Sequence, residues 1–294
     1  MKERMQRVGR SLTPYLFVAP NIIVFGLFII LPALYNFWLS LFRTSSYNPT
    51  TFIGLGNYAY LFTRDDIFWR ALRNMGVFVV GDVTLVVVFS VLIGVLLNQD
   101  VRWRGFLRSA FFFPVLLSPV VVAMIWSWIL NNRFGVLNGI LTSIGTKPIP
   151  WLLNANWAMF WVVVVHVWAT VGFFAIIILA GLQSIPASLY EAAEVDGANQ
   201  AASFRFITIP LLLPTIMVVL ILSLIHAFEM FDYVFVLTGG GPGFATLFMV
   251  QYIYRAGFDL NELGLATASS VILFFIILLL TVLQYVMGRM GEAI

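Results

Sequence analysis

Residues 157–182 read WAMFWVVVVHVWATVGFFAIIILAGL and contain no Asp, Glu, Lys or Arg. A helix of about 20 apolar residues is long enough to cross the roughly 30 Å hydrocarbon core of a bilayer. A buried helix of a soluble protein is rarely so uniformly apolar over such a length. The stretch therefore predicts a membrane-spanning helix.

The remainder of the chain repeats this pattern. Of its 294 residues, 61% are hydrophobic and only 10% are charged, whereas about a quarter of the residues of a soluble domain are charged. The sequence predicts an all-α membrane protein whose single transmembrane domain, 14–288, lies between an N-terminal tail, 1–13, and a C-terminal tail, 289–294. Its six predicted transmembrane helices are 14–41, 74–98, 109–131, 157–182, 211–237 and 266–288.

Composition also excludes several kinds of site. The chain has no cysteine, which excludes disulfides, thiolate metal sites and thiol nucleophiles. The net charge is only +3, and the arginines are too scattered for a nucleic-acid surface. The spacing of His and carboxylates matches no metal motif, and no G-x-x-x-x-G-K-[ST] loop is present to bind phosphates. We predict no metal and no cofactor.

Lys and Arg in short loops indicate the orientation. The N-terminal tail and the loop after the second helix are the basic segments, which predicts that both termini and the segment 183–209 are cytoplasmic. Four arginines fall on the other side, although Asp65 and Asp66 offset them in part and an interfacial helix before the second crossing would account for two. The cytoplasmic set is Lys2, Arg4, Arg7, Arg10, Arg102, Arg104 and Arg108, and the opposing set is Arg43, Arg64, Arg70 and Arg73.

The segment 183–209 is polar between two apolar crossings. It is predicted to form a short helix over 188–196, a bend at Gly197, and a second short helix to Phe206 before Pro210 opens the next crossing. Its alanines and phenylalanines suit docking into a groove of another protein, or packing against the underside of the bundle.

Several motifs resemble those of one transporter family. Glu191-Ala192-Ala193, then Gly197, then Ile207-x-Ile209-Pro210 resemble the EAA loop of binding-protein-dependent ABC importer permeases, although Ile209 stands where Leu is usual. The carbohydrate branch of that family is resembled further by the stretches 108–119, 135–138, 189–191 and 238–242.

This resemblance implies a type I ABC importer permease fold in a bacterial or archaeal inner membrane. The implied partners are a second permease subunit, an ATPase dimer, an extracytoplasmic solute-binding protein and a carbohydrate, in addition to membrane lipid. ATP hydrolysis would reside in the separate ATPase, so the chain itself would not be an enzyme. The resemblance implies that the ATPase contact is made by Glu191, Ala192, Ala193, Glu194, Asp196 and Gly197.

Polar side chains within the fourth and fifth predicted helices are candidates for a solute pathway, because polar groups at membrane depth usually face a cavity. Each His could instead bond a neighbouring side chain, and the two carboxylates could be hydrated at the outer mouth. Asp82 is predicted to be paired within the bundle or to lie on the pathway. The candidate pathway residues are His166, Thr170, Phe173, Ser223, His226, Glu229, Asp232 and Tyr233.

The charge of the helices limits the solute. No Lys or Arg lies within the third to fifth helices apart from Arg133 at an edge, so a phosphate would lack a cationic partner. A neutral sugar is favoured over glycerol phosphate or another polyol-like solute. A self-contained secondary transporter and an intramembrane enzyme are the alternative classes.

Prolines mark possible bends in the predicted helices. Pro114, Pro119, Pro210 and Pro214 each remove a backbone donor and clash with the preceding turn. They produce either static kinks or bends that let the bundle open and close.

Overall fold

A computed structural model describes residues 17–45, 48–100 and 102–292. The predicted N-terminal tail, 1–13, and the last two residues of the predicted C-terminal tail lie outside the described residues. In chain order the elements are α1 (Phe17–Leu39), β1 (Phe42–Ser45), β2 (Asn48–Phe52), α2 (Gly56–Thr63), α3 (Asp66–Asn98), α4 (Arg104–Phe112), α5 (Pro119–Ile129), α6 (Val136–Ser143), α7 (Ala155–Gln183), α8 (Ala187–Val195), α9 (Gln200–Phe228), α10 (Asp232–Leu237), α11 (Met249–Tyr254) and α12 (Leu263–Glu292).

Five of these helices, α1, α3, α7, α9 and α12, are long and apolar enough to cross a membrane. A sixth crossing is present among the described residues if α4, its 3₁₀ continuation to Leu116 and α5 count as one bent span. The only strands described are β1 and β2, which form a two-stranded antiparallel sheet. The predicted class, an all-α membrane protein, is confirmed.

The chain divides into two compact units. The first comprises residues up to Arg64 together with Ile253–Ile272. Within it, the Asn57 amide donates hydrogen bonds to the carbonyls of Ser40 (2.8 Å) and Phe42 (2.9 Å), which fixes α2 against the start of the hairpin. Asn36 of α1 donates to the Ser270 hydroxyl of α12 at 2.9 Å.

The second unit comprises Asp65–Tyr252 and the chain from Leu273 onward. Its core is a cluster of buried side chains from α3, α7 and α9. At Gly94 of α3 an added Cβ would lie 2.6 Å from the Ile178 side chain of α7, so glycine permits this close approach. The buried members of the cluster are Val86, Val167, Val171, Phe174, Ile178, Leu182, Leu212 and Val219.

The third predicted crossing, 109–131, is not one straight helix. The chain bends by 97° between the segment ending at Leu116 and α5. Leu117 and Ser118 are extended, with ψ of 143° and 135°. Since a residue before proline avoids the helical region, Pro119 forces the helix to stop and then opens α5 at its first position.

The second crossing begins earlier than predicted. Helix α3 starts at Asp66 rather than 74, with the Asp65 carboxylate accepting a hydrogen bond from the Phe68 amide at 2.9 Å. Arg70 and Arg73 therefore lie on the crossing helix itself. They do not form the separate interfacial helix that we considered.

The fifth crossing also differs from its predicted bounds of 211–237. No separate short helix precedes Pro210, because α9 runs without a break from Gln200 through a π turn, Phe204–Thr208, to Phe228. Proline lacks the N–H that would reach the Phe206 carbonyl, and the wide turn takes up that irregularity. The helix ends at Phe228, and α10 is a separate short helix.

Candidate functional site

The acidic segment forms a short helix between two core helices. Helix α8 covers Ala187–Val195, within one residue of the predicted 188–196 at each end. Gly197, with φ of +80°, ends it as predicted, donating to the Glu194 carbonyl at 3.0 Å, while the Ala198 amide donates to the Ala193 carbonyl at 2.8 Å. The Asn199 side chain then caps α9 by accepting from the Ala202 amide. A four-residue turn therefore connects α8 to α9.

Most of α8 faces outward. Glu191, Glu194 and Asp196 are exposed, and none forms an ion pair with a described residue. Val195 is 88% exposed, although it is fully apolar. The helix and the residue that follows it thus present three exposed carboxylates beside the aliphatic side chain of Val195 and the small side chain of Ala192. Such a surface is suited to a basic and partly apolar groove on another protein.

The inward face of α8 consists of Tyr190 and Ala193, which are half-buried. The Tyr190 hydroxyl lies 2.9 Å from the hydroxyl of Thr208, which is only 5% exposed and belongs to the π turn of α9. Neither Tyr190, Val195 nor Thr208 was among the predicted site residues. The sequence does not single out this face, because Ala192 and Val195 have the same three-residue spacing on the same helix and are both exposed.

Two arginines contact Gln183, the last residue of α7, shortly before α8 begins. With its side-chain oxygen facing them, Gln183 accepts hydrogen bonds from Nη2 of Arg104 (3.1 Å) and of Arg108 (3.2 Å). Arg104 also lies 3.5 Å from the Asp100 carboxylate. The basic segment after the second crossing and the acidic segment 183–209 therefore lie at the same end of this unit.

Four of the predicted pathway residues are exposed: Phe173 of α7, His226 and Glu229 at the end of α9, and Asp232 of α10. The rings of Phe173 and His226 stack with centroids 6.4 Å apart and planes 19° apart. Glu229 follows His226 at the three-residue spacing that places side chains on one helix face. These side chains give a polar and aromatic character to the surface at this end of α9.

Two other predicted pathway residues lie in the interior of the unit. His166 is 4% exposed, and its Nδ1 lies 2.7 Å from Oδ1 of the fully buried Asp82 of α3. Ser223 is buried and donates to the Leu220 carbonyl of its own helix at 3.1 Å. The side chains of His166 and Ser223 are therefore both hydrogen-bonded within the unit. For His166 and Asp82, this pairing is one of the alternatives that the sequence left open.

The remaining pair, Thr170 and Tyr233, is half-buried. The Thr170 hydroxyl donates to the His166 carbonyl at 2.8 Å. The Tyr233 ring meets the His166 ring edge to face at 5.3 Å. These two residues therefore contact the buried His166 from half-buried positions.

The described residues contain no group of three His, Asp or Glu side chains placed to hold a metal ion.

Comparison with known proteins places these features in a family. Residues 87–290 match the sequence profile of the binding-protein-dependent transport system inner membrane component. The chain is 36% identical over 290 residues to the trehalose/maltose transport system permease protein MalF of Thermococcus litoralis, covering 98% of this chain and 96% of that protein. It is 34% identical over 277 residues to the sn-glycerol-3-phosphate transport system permease protein UgpA of Agrobacterium fabrum, covering 94% of each.

A solved structure is similar over almost the whole chain. It is the crystal structure of a bacterial alginate ABC transporter in complex with an alginate pentasaccharide-bound periplasmic protein. The TM-score is 0.86 at 26% sequence identity, and the match covers 97% of this chain and 96% of that one. The architecture of that chain is therefore close to the one described above.

Proposed function

We propose that this chain, which belongs to the family of binding-protein-dependent transport system inner membrane components, is a permease subunit of an ATP-driven sugar importer. It would form half of the translocation pathway and pair with a second permease subunit. An ATPase dimer would supply the energy, and an extracytoplasmic binding protein would deliver the solute. The periplasmic protein in the similar alginate transporter structure supports the last of these partners.

The exposed face of α8 is the observation that carries the proposal. Its carboxylates have no basic partner among the described residues, and Val195 projects from it almost fully exposed. We assign Glu191, Ala192, Ala193, Glu194, Asp196 and Gly197, together with Val195, to the contact with the ATPase. The carboxylates would pair with basic groups there, and the small residues would allow close approach.

The solute pathway is proposed to follow the exposed polar end of α9. Phe173 and His226 would offer an aromatic surface to the C–H face of a sugar, and Glu229 and Asp232 would accept hydrogen bonds from its hydroxyls. His166, Thr170, Ser223 and Tyr233 would support this surface from behind. Closure of the ATPases would expose the pathway outward, and their reset would expose it inward.

The substrate is proposed to be a neutral sugar. Helices α5, α7 and α10 contain no Lys or Arg, and in α9 the one basic residue besides His226 is Arg205, near its start. A phosphorylated solute would thus lack the cation that recognition of phosphate normally uses. The similarity to a glycerol-3-phosphate permease keeps a phosphorylated or polyol-like solute as the alternative.

The orientation is proposed to place both termini and α8 in the cytoplasm. The shared position of Gln183, Arg104 and Arg108 at one end of the second unit supports this, because cytoplasmic loops are rich in Lys and Arg.

Reconstitution of the full chain with its partner subunits in proteoliposomes tests the proposal. ATP-dependent uptake is expected for maltose or trehalose delivered by the binding protein, and not for sn-glycerol 3-phosphate. Preference for the phosphorylated solute would overturn the proposed sugar. Undiminished uptake by the chain in liposomes without the ATPase would instead support a secondary transporter.

A further inference from the structure

A hydrogen bond joins the exposed helix α8 to the membrane helix α9. The Tyr190 and Thr208 hydroxyls are 2.9 Å apart, although 18 positions separate the two residues in sequence. The Thr208 hydroxyl also donates to the Ser203 carbonyl at 3.4 Å. Because a threonine hydroxyl has one proton, Thr208 accepts the bond from the Tyr190 O–H. The resulting chain of bonds runs from α8 into the π turn of α9.

The rest of α8 makes few attachments that could transmit force. All of its side chains except Tyr190 and Ala193 are exposed. Its covalent connection to α9 is the turn 196–199, which includes Gly197 in the left-handed region with nothing within 4 Å of an added Cβ. A turn of this kind can change shape when α8 moves, because glycine has the widest backbone freedom. If the turn changes shape in this way, the displacement of α8 does not reach α9 through it. A direct side-chain hydrogen bond between α8 and α9 would transmit that displacement.

Thr208 lies at an irregular point of α9. It is the last residue of the π turn and stands two residues before Pro210, where the helix already lacks a backbone hydrogen bond. Further along the same helix lie His226 and, just beyond its end, Glu229, the exposed residues assigned to the solute pathway. A displacement that begins at Thr208 would therefore reach them along a continuous helix.

We propose that Tyr190 is a positioning residue for transport, which transmits the displacement of α8 to α9 through its hydrogen bond to Thr208. This inference rests on the proposed function, in which an ATPase partner moves α8. It adds the residue pair that carries the motion into the membrane.

The test measures solute molecules imported per ATP hydrolysed, using the assembled complex in proteoliposomes with maltose and its binding protein. Tyr190→Phe and Thr208→Val remove one hydroxyl each and keep the size of the side chain. The import ratio is expected to fall about fivefold in each, which corresponds to one net hydrogen bond. Thr208→Ser retains the hydroxyl and should stay near the parent value. The double variant should be no worse than Thr208→Val alone, because that substitution already removes the bond through which the Tyr190 hydroxyl acts.

Two matched controls remove a similar atom elsewhere. Tyr35→Phe changes an exposed tyrosine of α1, and Thr267→Val changes a half-buried threonine that bonds only within α12. Both should retain the parent ratio. Copurification of the ATPase with each variant, at parent stoichiometry, distinguishes loss of transmission from loss of assembly.

A normal ratio in Tyr190→Phe and Thr208→Val overturns the inference. The inference is also overturned if Thr208→Ser is as impaired as Thr208→Val, since the hydroxyl would then be irrelevant. Glu191→Lys distinguishes a failure of the Tyr190–Thr208 link from a failure of the proposed ATPase contact. If Glu191→Lys uncouples transport while the Tyr190 and Thr208 variants do not, only the inference fails; if Glu191→Lys has no effect, the proposed ATPase contact fails as well.

Discussion

Asp82 of α3 and His166 of α7 meet in the interior of the helical core, with Oδ1 of the aspartate 2.7 Å from Nδ1 of the histidine. Both side chains are almost completely buried, and Phe78 and Tyr233 cover the imidazole ring edge to face. Buried polar groups at this depth are costly unless they are paired. The pair therefore holds α3 in register with α7 and gives His166 Nδ1 and Asp82 Oδ1 a partner, whereas Asp82 Oδ2 has none among the described residues.

Replacing Asp82 should destabilise the protein. Asp82→Leu leaves the His166 nitrogen without its partner, which costs about 1–3 kcal/mol for a buried polar group. Asp82→Asn keeps an acceptor oxygen and should cost less. Thermal unfolding of the purified protein in detergent measures the difference, with the exposed Asp232→Asn as the control. Equal midpoints for Asp82→Leu and the parent would show that the pair does not contribute to stability.

His226 should behave in the opposite way from His166. Its ring is exposed, stacks on Phe173 and meets the buried Phe174 edge to face, so His226→Ala leaves no buried polar group without a partner. We expect unchanged thermal stability and a KM for sugar uptake raised roughly three- to tenfold, because the aromatic surface offered to the sugar loses one of its two rings. Leu211→Ala removes another exposed side chain of α9 and should change neither quantity. An unchanged KM in His226→Ala would remove His226 from the solute pathway.

Gly197→Pro tests the turn after α8, and Gly145 provides a closely matched control. Gly197 has φ of +80° and Gly145 has φ of +82°, and each amide donates to the carbonyl three residues earlier at 3.0 Å. Proline cannot adopt a positive φ and removes that donor, so each substitution disturbs one helix end equally. Only Gly197→Pro should abolish the stimulation of ATP hydrolysis by the loaded binding protein.

Comparable activity in the two variants would argue against a special role for the turn at Gly197. If both lose activity, the turn geometry itself is generally required for folding. If both retain it, the orientation of α8 does not depend on this turn.

Local features of the fold were predictable from sequence. The uninterrupted apolar run at 157–182 predicted α7, which spans Ala155–Gln183, because length and polarity alone determine whether a segment can cross a membrane. The end of α8 at Gly197 was predictable because few residues adopt a positive φ without strain.

Features that depend on tertiary packing were not predictable. Asp82 and His166 are 84 residues apart, and no periodicity in either segment identifies the other as a partner. The 97° bend before α5 lies within a continuous apolar run, where two prolines permit a break but do not determine its angle. The same is true of α8, whose sequence shows its polarity but not that Tyr190 faces inward toward Thr208.

Pro210→Ala tests whether the irregular start of α9 serves movement or is a static kink. Alanine would restore an N–H that can reach the Phe206 carbonyl, which favours replacement of the π turn at Phe204–Thr208 by regular α-helix. If the bend serves movement, ATP-dependent uptake should fall severalfold while thermal stability stays the same or rises. Pro214→Ala is the control, because Pro214 lies inside α9 beyond the π turn. Uptake equal to the parent in Pro210→Ala would identify the turn as a static feature, since the helix would then work equally well without it.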